Sequence, residues 1–277
     1  MAGVTIPQIQ QMKRDKQKIV VMTAYDYTMA SLLDRANVDL LLVGDSGARN
    51  LLGYDDSAFV TVDEMVVMTR SAVRGSQRAM VVGDMPFMSY QASQEDAIRN
   101  AGRFIQEAGA QAVKLEVGVD YAETVKAIVK AGIPVMAHIG LTPMASIGSG
   151  DFRSQAERVE HERVWQDARA LVAAGSFSLL ITGVPAALAK QITAEVSVPT
   201  IAGFGAGDDC DGVIGVTHRV LGFDASELDR PRANYGPVAV SFYDAAKKFA
   251  EDVRAGKART LRARSKGLAR RRKWVSG

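Results

Sequence analysis

Residues 105–138 have the sequence IQEAGAQAVKLEVGVDYAETVKAIVKAGIPVMAH, in which one short pattern occurs twice. A helical segment ends at a glycine, Gly109 or Gly132, and a short apolar run follows within a few residues. Glycine after a helix is a C-cap signal, because only glycine enters the left-handed region at little cost. The apolar runs are continuous rather than alternating, which is typical of parallel strands buried on both faces. The stretch therefore predicts two successive units of helix and parallel strand.

The same pattern extends along most of the chain in both directions. The further predicted strands are Ile19–Met22, Leu40–Val43, Ala79–Val82, Phe177–Thr182 and Val198–Ala202, with a weaker eighth strand near Val220–Asp224. The predicted helices include Tyr27–Ala36, Asp63–Arg74, Ser93–Ala108 and a final helix Val240–Arg254. This alternation predicts a parallel sheet, either closed into a barrel or open and doubly wound. The number of units favours a single (β/α)₈ TIM barrel, and no Gly-x-Gly-x-x-Gly follows the first strand to indicate dinucleotide binding.

Charge is distributed unevenly over the 277 residues. The net charge is +3, but no acidic residue follows Asp252, and ten of the 34 basic residues lie from Arg254 onward. Residues 1–253 therefore carry 24 basic and 31 acidic groups, a net charge of −7. We expect one barrel domain over 1–253 and a basic C-terminal tail over 254–277. A basic run without a nucleic-acid-binding motif indicates a solvated tail or a subunit contact, and nucleic-acid binding is not expected.

Composition also bounds where the chain works. Apolar residues make up 47% and charged residues 23% of the chain, which is typical of a globular protein with a sizeable core. No run approaches the ~18 consecutive apolar residues that a membrane helix needs, and the polar N-terminus lacks the apolar region of a secretory signal. Cys210 is the single cysteine, so no intrachain disulfide can form. We expect a cytoplasmic protein without membrane spans.

Charged side chains lie at the carboxyl ends of successive predicted strands, where barrel enzymes build their active sites. Asp45 follows strand 2, Asp84 follows strand 3, and Glu116 closes strand 4. Three carboxylates on one rim repel one another, and a hard divalent cation such as Mg²⁺ removes that conflict. Lys114 lies two residues from Glu116, so both side chains should point to the same side of the strand. The pattern predicts a magnesium-binding pocket that also contains an ammonium group.

Two of these positions have simpler interpretations. An aspartate at the end of a strand is often only the N-cap of the next helix, which applies to Asp45 and Asp84. His138 closes strand 5. Taken alone, it fits two interpretations equally well: a hydrogen-bonded histidine of the core and a residue of the site. The co-occurrence of four charged residues on the same rim favours the functional interpretation.

The motifs together resemble one enzyme family. The segments that carry the resemblance are Thr23-Ala24-Tyr25-Asp26-Tyr27, Val43-Gly44-Asp45-Ser46, Asp84-Met85-Pro86-Phe87-Met88, Val113-Lys114-Leu115-Glu116, His138-Ile139-Gly140-Leu141-Thr142-Pro143, Val184-Pro185 with Leu188-Ala189-Lys190-Gln191-Ile192-Thr193, and Gly205-Ala206-Gly207 with Asp211-Gly212. Over roughly residues 4–223 the chain resembles ketopantoate hydroxymethyltransferase, in the wider isocitrate lyase and phosphoenolpyruvate mutase group. The motifs are specific as a set, although none of them is specific alone.

The resemblance implies a (β/α)₈ barrel, and it implies Mg²⁺ held by Asp45, Asp84 and Glu116. It implies a 2-oxo acid that contacts Asp45, Ser46, Asp84 and Lys114. The implied reaction transfers a hydroxymethyl group from 5,10-methylenetetrahydrofolate to 3-methyl-2-oxobutanoate, in pantothenate biosynthesis, by way of a metal-stabilised enolate. The family assembles as homo-oligomeric rings, often decamers. Lys114 and His138 are then the candidate catalytic residues, together with the residue at position 182.

The chain departs from the family at that position. The family's general base is a glutamate in a Leu-Glu-x-Val-Pro context, where this chain has Thr182, and a threonine hydroxyl is too weakly basic to replace a carboxylate unaided. The loop 47–50 differs as well, and strand 7 has an extra residue around Ala202-Gly203. Three hypotheses follow. The first is hydroxymethyl transfer with another base, such as His138 or a metal-bound hydroxide. The second is aldol cleavage (lyase), decarboxylation or hydroxymethylation of another 2-oxo acid, with Arg49 binding a second carboxylate, and the third is an inactive ring-forming protein.

Overall fold

The computed structural model describes residues 3–141 and 161–257, and the chain forms two compact units, residues 1–218 and 219–277. The first unit contains α1 (Ile6–Arg14), β1 (Ile19–Thr23), α2 (Tyr27–Arg35), β2 (Leu40–Val43), α3 (Ser46–Asn50), α4 (Val62–Gly75), β3 (Met80–Asp84), α5 (Gln94–Gln106), β4 (Ala112–Glu116), α6 (Ala122–Lys130), β5 (Val135–Gly140), α7 (His161–Ala173), β6 (Ser178–Thr182), α8 (Ala186–Glu195), β7 (Thr200–Ala202) and β8 (Gly212–Gly215). Short 3₁₀ turns lie at Ser57–Phe59 and Val119–Tyr121. The helix α9 (Thr217–Val220) spans the boundary between the units.

The eight strands form a closed parallel barrel in the order β1 to β8. Each strand pairs with the next one along the chain, and β8 pairs with β1 in a register that places Val213 beside Val20. The predicted (β/α)₈ barrel is thus confirmed, and the open doubly wound sheet is not formed. The predicted strands through β7 are all present; the bounds of Leu40–Val43 are as predicted, and the ends of several others differ by one or two residues.

The eighth strand is the one element that the sequence misplaced. The prediction put it near Val220–Asp224, whereas β8 is Gly212–Gly215. Its two apolar residues lie between glycines, so no apolar run marks it in the sequence. Gly212 is required by packing, because a Cβ there would lie 2.4 Å from the carbonyl oxygen of Ile19 on β1. The close approach of β8 to β1 closes the barrel.

Alternate residues of each strand face the two sides of the barrel wall. The inner cluster contains Ile19, Val21, Leu40, Leu42, Met80, Val82, Ala112, Met136, Leu180 and Ile201. The residues between them belong to a second cluster, which lies between the strands and the surrounding helices. Helix α1 was not predicted, and its Ile9 is fully buried in the inner cluster beside the first residues of the strands. This parity decides which strand-end side chains enter the barrel.

Side-chain caps fix the connections between helices and strands. Ser93 caps α5 by accepting from the backbone N–H of Asp96 at 3.1 Å. The carboxylate of Asp34 accepts from Ser76 Oγ and from the backbone N–H groups of Arg78 and Ala79 at 2.7–3.0 Å. Since Ala79 directly precedes β3, this carboxylate ties the end of α2 to the start of the third strand.

The second unit, residues 219–277, is described as far as residue 257. It contains a 3₁₀ turn at Ala225–Leu228 and the helix α10 (Val238–Arg254), which confirms the predicted final helix. Buried Glu227 accepts from the backbone and the guanidinium of Arg232. The predicted basic tail lies outside the described residues from 258 onward. Within the described ranges, no helix has the length and apolar character required to cross a membrane.

Candidate active site

The inner parity of the strands places five polar side chains inside the barrel at its carboxyl end. Residues 84, 114, 116, 138 and 182 each follow an inner-cluster residue at an even spacing along their strands. They are Asp84, Lys114, Glu116, His138 and Thr182, and all five are buried. Strands β3 to β6 therefore bring together four of the charged or titratable groups predicted from the sequence. They also place Thr182, which stands where the family has a glutamate, in the same cluster.

Lys114 is the centre of the charged part of this cluster. Its Nζ lies 2.6 Å from Asp84 Oδ2 and 3.6 Å from Glu116 Oε1, and the three side chains are at most 2% exposed. Burial disfavours the ammonium, yet the carboxylates of Asp84 and Glu116 outweigh burial and raise the pKa of Lys114. The charged ammonium is therefore favoured inside the barrel, paired with two buried carboxylates.

Asp84 combines one paired and one unpaired oxygen. Oδ2 accepts from Lys114 and from the backbone N–H of Asp45 at 2.9 Å, whereas Oδ1 is buried with no hydrogen-bond partner among the described residues. Burial raises the pKa of Asp84 to about 7, although the ammonium of Lys114 opposes this shift. A buried carboxylate oxygen without a partner is costly, and a bound cation would remove that cost.

Asp45 and Ser46 lie at the end of β2, where α3 begins. Asp45 occupies the N-cap position of α3, but its side chain makes no capping hydrogen bond, so the simple capping interpretation is not observed. Its negative charge contributes to raising the pKa of both Asp84 and Lys114. Ser46 Oγ lies 2.8 Å from the phenolic oxygen of Tyr25.

The residues present fit a magnesium ion through two aspartates rather than a closed ligand cage. In the described ranges, no three His, Cys, Asp or Glu side chains form a set that would hold a metal by themselves. Glu116, the third predicted ligand, faces Lys114 and His138. Mg²⁺ commonly takes one or two carboxylates and completes its octahedron with water and substrate oxygens. The uncapped Asp45 and the unpaired oxygen of Asp84 are suited to that role.

His138 connects Glu116 to Thr182 in a hydrogen-bonded chain. Its Nδ1 lies 3.1 Å from Glu116 Oε1, and its Nε2 lies 2.9 Å from Thr182 Oγ1. Burial lowers the pKa of His138 and so favours the neutral imidazole, although Glu116 opposes this shift. With Nδ1–H assigned as the donor to the carboxylate, Nε2 accepts from the threonine hydroxyl. This is the arrangement of an acid, a base and a hydroxyl that catalytic triads share.

Gly203 makes room for this hydroxyl. A Cβ at residue 203 would lie 2.3 Å from Thr182 Oγ1 and 3.3 Å from the carbonyl oxygen of Ile181. The segment after β7 therefore packs directly against Thr182.

Arg49 does not join this cluster. It is exposed on α3, and its guanidinium donates to the backbone carbonyl of Asp55.

Two residues that support the site were not predicted from the sequence. Tyr90 is buried and donates to the backbone carbonyl of Glu116 at 3.0 Å, and Thr217 hydrogen-bonds to the end of β1. Thr217 was overlooked because the eighth strand was expected further along the chain.

Comparison with known proteins gives independent information on the family of this chain. A family model described as ketopantoate hydroxymethyltransferase matches residues 3–258. A 3-methyl-2-oxobutanoate hydroxymethyltransferase of Pelobacter propionicus is 47% identical over 253 residues, covering 91% of this chain and 94% of the relative. The enzyme of the same name from Moorella thermoacetica is 49% identical over 258 residues, covering 92% and 94%.

Solved structures with low sequence identity share the fold. Phosphoenolpyruvate phosphomutase from Streptomyces platensis subsp. rosaceus superimposes with a TM-score of 0.63 at 14% identity, covering 91% of this chain and 88% of that chain. A 2,3-dimethylmalate lyase structure gives a TM-score of 0.62 at 16% identity, covering 95% and 89%. These likenesses extend to the barrel and carry no information on substrate.

Proposed function

The chain belongs to the ketopantoate hydroxymethyltransferase family, and from that premise we propose that it forms ketopantoate from 3-methyl-2-oxobutanoate in pantothenate biosynthesis. The hydroxymethyl donor in this proposal is 5,10-methylenetetrahydrofolate. The observation that carries the proposal is the buried array of Asp84, Lys114, Glu116, His138 and Thr182 at the carboxyl end of the barrel. It supplies the cation, carboxylate and proton-accepting groups that enolate chemistry requires.

In the proposed site Asp45 and Asp84 would hold Mg²⁺, with Glu116 as the third ligand expected from the family. When bound, the ion acts as a Lewis acid on the 2-oxo group and makes the C3 proton more acidic. The unpaired Oδ1 of Asp84 supports this assignment. Lys114 offsets the negative charge of the 2-oxo acid, and Ser46 contacts it from the end of β2.

The proton from C3 needs an acceptor in place of the family's glutamate. We assign that role to His138, acting through the hydroxyl of Thr182. As Thr182 Oγ takes the C3 proton, its own proton passes over 2.9 Å to His138 Nε2. Glu116 accepts from Nδ1 and stabilises the charge that develops on the imidazole. Burial lowers the pKa of His138, which favours the neutral imidazole needed for this step and makes it a weaker base, and the carboxylate of Glu116 opposes that shift.

Three broader properties belong to the same proposal. The chain works in the cytoplasm, as a homo-oligomer that family resemblance makes a decamer. Residues 1–253 act as the barrel domain and 254–277 as a basic tail. Light scattering on the purified full chain tests the assembly: a mass near ten times 29.7 kDa supports the decamer, and a monomer contradicts it.

The experiment that tests the chemistry is proton NMR of 3-methyl-2-oxobutanoate in D₂O with the protein and Mg²⁺. Loss of the C3 proton signal, dependent on both protein and metal, is expected because enolisation precedes transfer. Adding 5,10-methylenetetrahydrofolate should then yield ketopantoate. A folded protein that leaves the C3 signal unchanged would contradict the proposal and favour another 2-oxo acid or a non-catalytic role.

A further inference from the structure

Tyr25 is a buried phenol that the proposed chemistry does not use. It is 1% exposed, yet its oxygen lies within hydrogen-bonding distance of three side chains. These are Thr23 Oγ1 at 2.9 Å, Ser46 Oγ at 2.8 Å and Asn50 Nδ2 at 3.3 Å. The phenol therefore joins the end of β1 to both ends of helix α3, which begins with Ser46.

The protons available on Tyr25 and its neighbours determine the direction of each hydrogen bond. Tyr25 has a single proton, and it donates that proton to Thr23 Oγ1. The amide of Asn50 donates to the phenolic oxygen. The remaining bond is then made by the Ser46 hydroxyl donating to Tyr25. The rotation of this hydroxyl is thereby fixed, and its lone pairs are left for a ligand.

Thr23 is itself held by Thr217, which follows the neighbouring strand β8. Its Oγ1 accepts from the backbone N–H of Thr217 at 3.0 Å, and its carbonyl accepts from the Thr217 hydroxyl at 2.5 Å. Thr217 follows β8, so the chain of contacts runs from β8 through β1 to β2. Closure of the barrel is thus linked to the orientation of Ser46.

The absence of a side chain at Gly47 leaves room for the ring of Tyr25. A Cβ at Gly47 would lie 2.9 Å from Tyr25 Cδ1 and 3.1 Å from the sulfur of Met68. On its other side the ring lies 5.5 Å from the ring of His218. Tyr25 is therefore confined from several directions, and its hydroxyl position is well defined.

We propose that Tyr25 is a positioning residue, which fixes the Ser46 hydroxyl for contact with the 2-oxo acid. The proposal rests on the function proposed above, because it gives Ser46 a ligand to contact. Tyr25 does not touch the reacting atoms, and its effect on turnover passes through Ser46. Removing the phenol oxygen should therefore cost activity only while Ser46 has its hydroxyl.

A double-mutant cycle on the full chain tests this dependence. Ketopantoate formation is measured for the wild type, Tyr25→Phe, Ser46→Ala and the double variant, with kcat and KM determined separately. Loss of one positioning hydrogen bond should lower kcat/KM of Tyr25→Phe by about five- to tenfold. In the Ser46→Ala background the same change should alter kcat/KM by less than about twofold. A merely structural role would give equal losses in both backgrounds and would overturn the proposal, as would an unchanged Tyr25→Phe.

Tyr54→Phe is the matched control, because it removes a phenol oxygen that bonds to Glu64 instead. It should leave kcat and KM unchanged. If circular dichroism shows Tyr25→Phe to be unfolded, Asn50→Ala replaces it in the cycle, with an expected two- to threefold loss that disappears beside Ser46→Ala. Persistence of that loss would overturn the proposal. A wild type that neither exchanges the C3 proton nor forms ketopantoate overturns the proposed function itself, and this inference with it, without reference to any variant.

Discussion

Replacing Thr182 by valine isolates the hydroxyl on which the proposed proton transfer depends. Valine keeps the branched shape of threonine, so contact with the backbone at Gly203 is retained while the hydrogen bond to His138 is lost. The imidazole would then face the substrate across a methyl group. General base catalysis typically contributes 10²- to 10⁴-fold, so we expect C3 proton exchange to fall by at least about 100-fold.

The same substitution has a cost in stability that can be worked out separately. His138 Nε2 is buried, and without Thr182 Oγ1 it loses the partner it has at 2.9 Å. Leaving a buried acceptor unsatisfied costs about 1–3 kcal/mol, which corresponds to a fall in melting temperature of roughly 2–12 °C at about 2–4 °C per kcal/mol. The variant should therefore remain folded at 25 °C, and its loss of exchange would not be due to unfolding.

Thr182→Ser is the matched control, because it removes a methyl group and keeps the hydroxyl. We expect its exchange rate to stay within about tenfold of the wild type. The assay is the NMR exchange measurement in D₂O, with a thermal melt of each variant. An exchange rate for Thr182→Val within twofold of the wild type would refute the relay and place the base elsewhere.

Three further predictions test the surroundings of the site. Gly203→Ala places a Cβ 2.3 Å from Thr182 Oγ1, so it should destabilise the fold by about 1–3 kcal/mol in a thermal melt and reduce C3 proton exchange. Gly102→Ala is the control, because it lies in an open helical position and should stabilise the fold slightly in the same melt. Mg²⁺ at about 100 times its Kd should stabilise the wild type by about 3 kcal/mol in calorimetry, and Asp84→Asn should abolish this gain; equal stabilisation of both would contradict the metal assignment. Burial works against the Asp34 carboxylate, but backbone and hydroxyl hydrogen bonds outweigh burial and lower the pKa of Asp34. The stabilisation of the fold by this carboxylate is therefore present above the pKa of the unfolded chain and is lost as pH falls through the pKa of the folded chain. In urea titrations the wild type should be about 1–2 kcal/mol more stable than Asp34→Asn at pH 7, and this difference should shrink toward pH 3.

Local signals were sufficient for most of the barrel. The strand Leu40–Val43 was predicted to the residue, because four consecutive apolar residues are a strong pattern. The strand Ala112–Glu116 was recognised from the apolar residues that follow the helix C-cap glycine Gly109. The strand Gly212–Gly215 was missed because it has two apolar residues between glycines. Its place depends on fitting closely against β1, which is a property of the closed barrel and not of the segment.

The polar half of the site was also predictable in part. Lys114 and Glu116 were expected to share one face of β4 because alternate residues of a strand point the same way, and their side chains do meet. Parity could not reveal that Nζ of Lys114 lies closer to Asp84 than to Glu116, since that distance depends on the register between β3 and β4.

Periodicity and spacing, which act over a few residues at a time, are enough to predict the repeating helix and strand units and the rim on which the charged residues lie. The motifs likewise indicate the family that the chain resembles. The contacts of His138 with Thr182, 44 positions away, and of Thr217 with Thr23, 194 positions away, are visible only in the folded chain. Such contacts depend on strand register and on the closure of β8 against β1, and no local pattern in the chain encodes either.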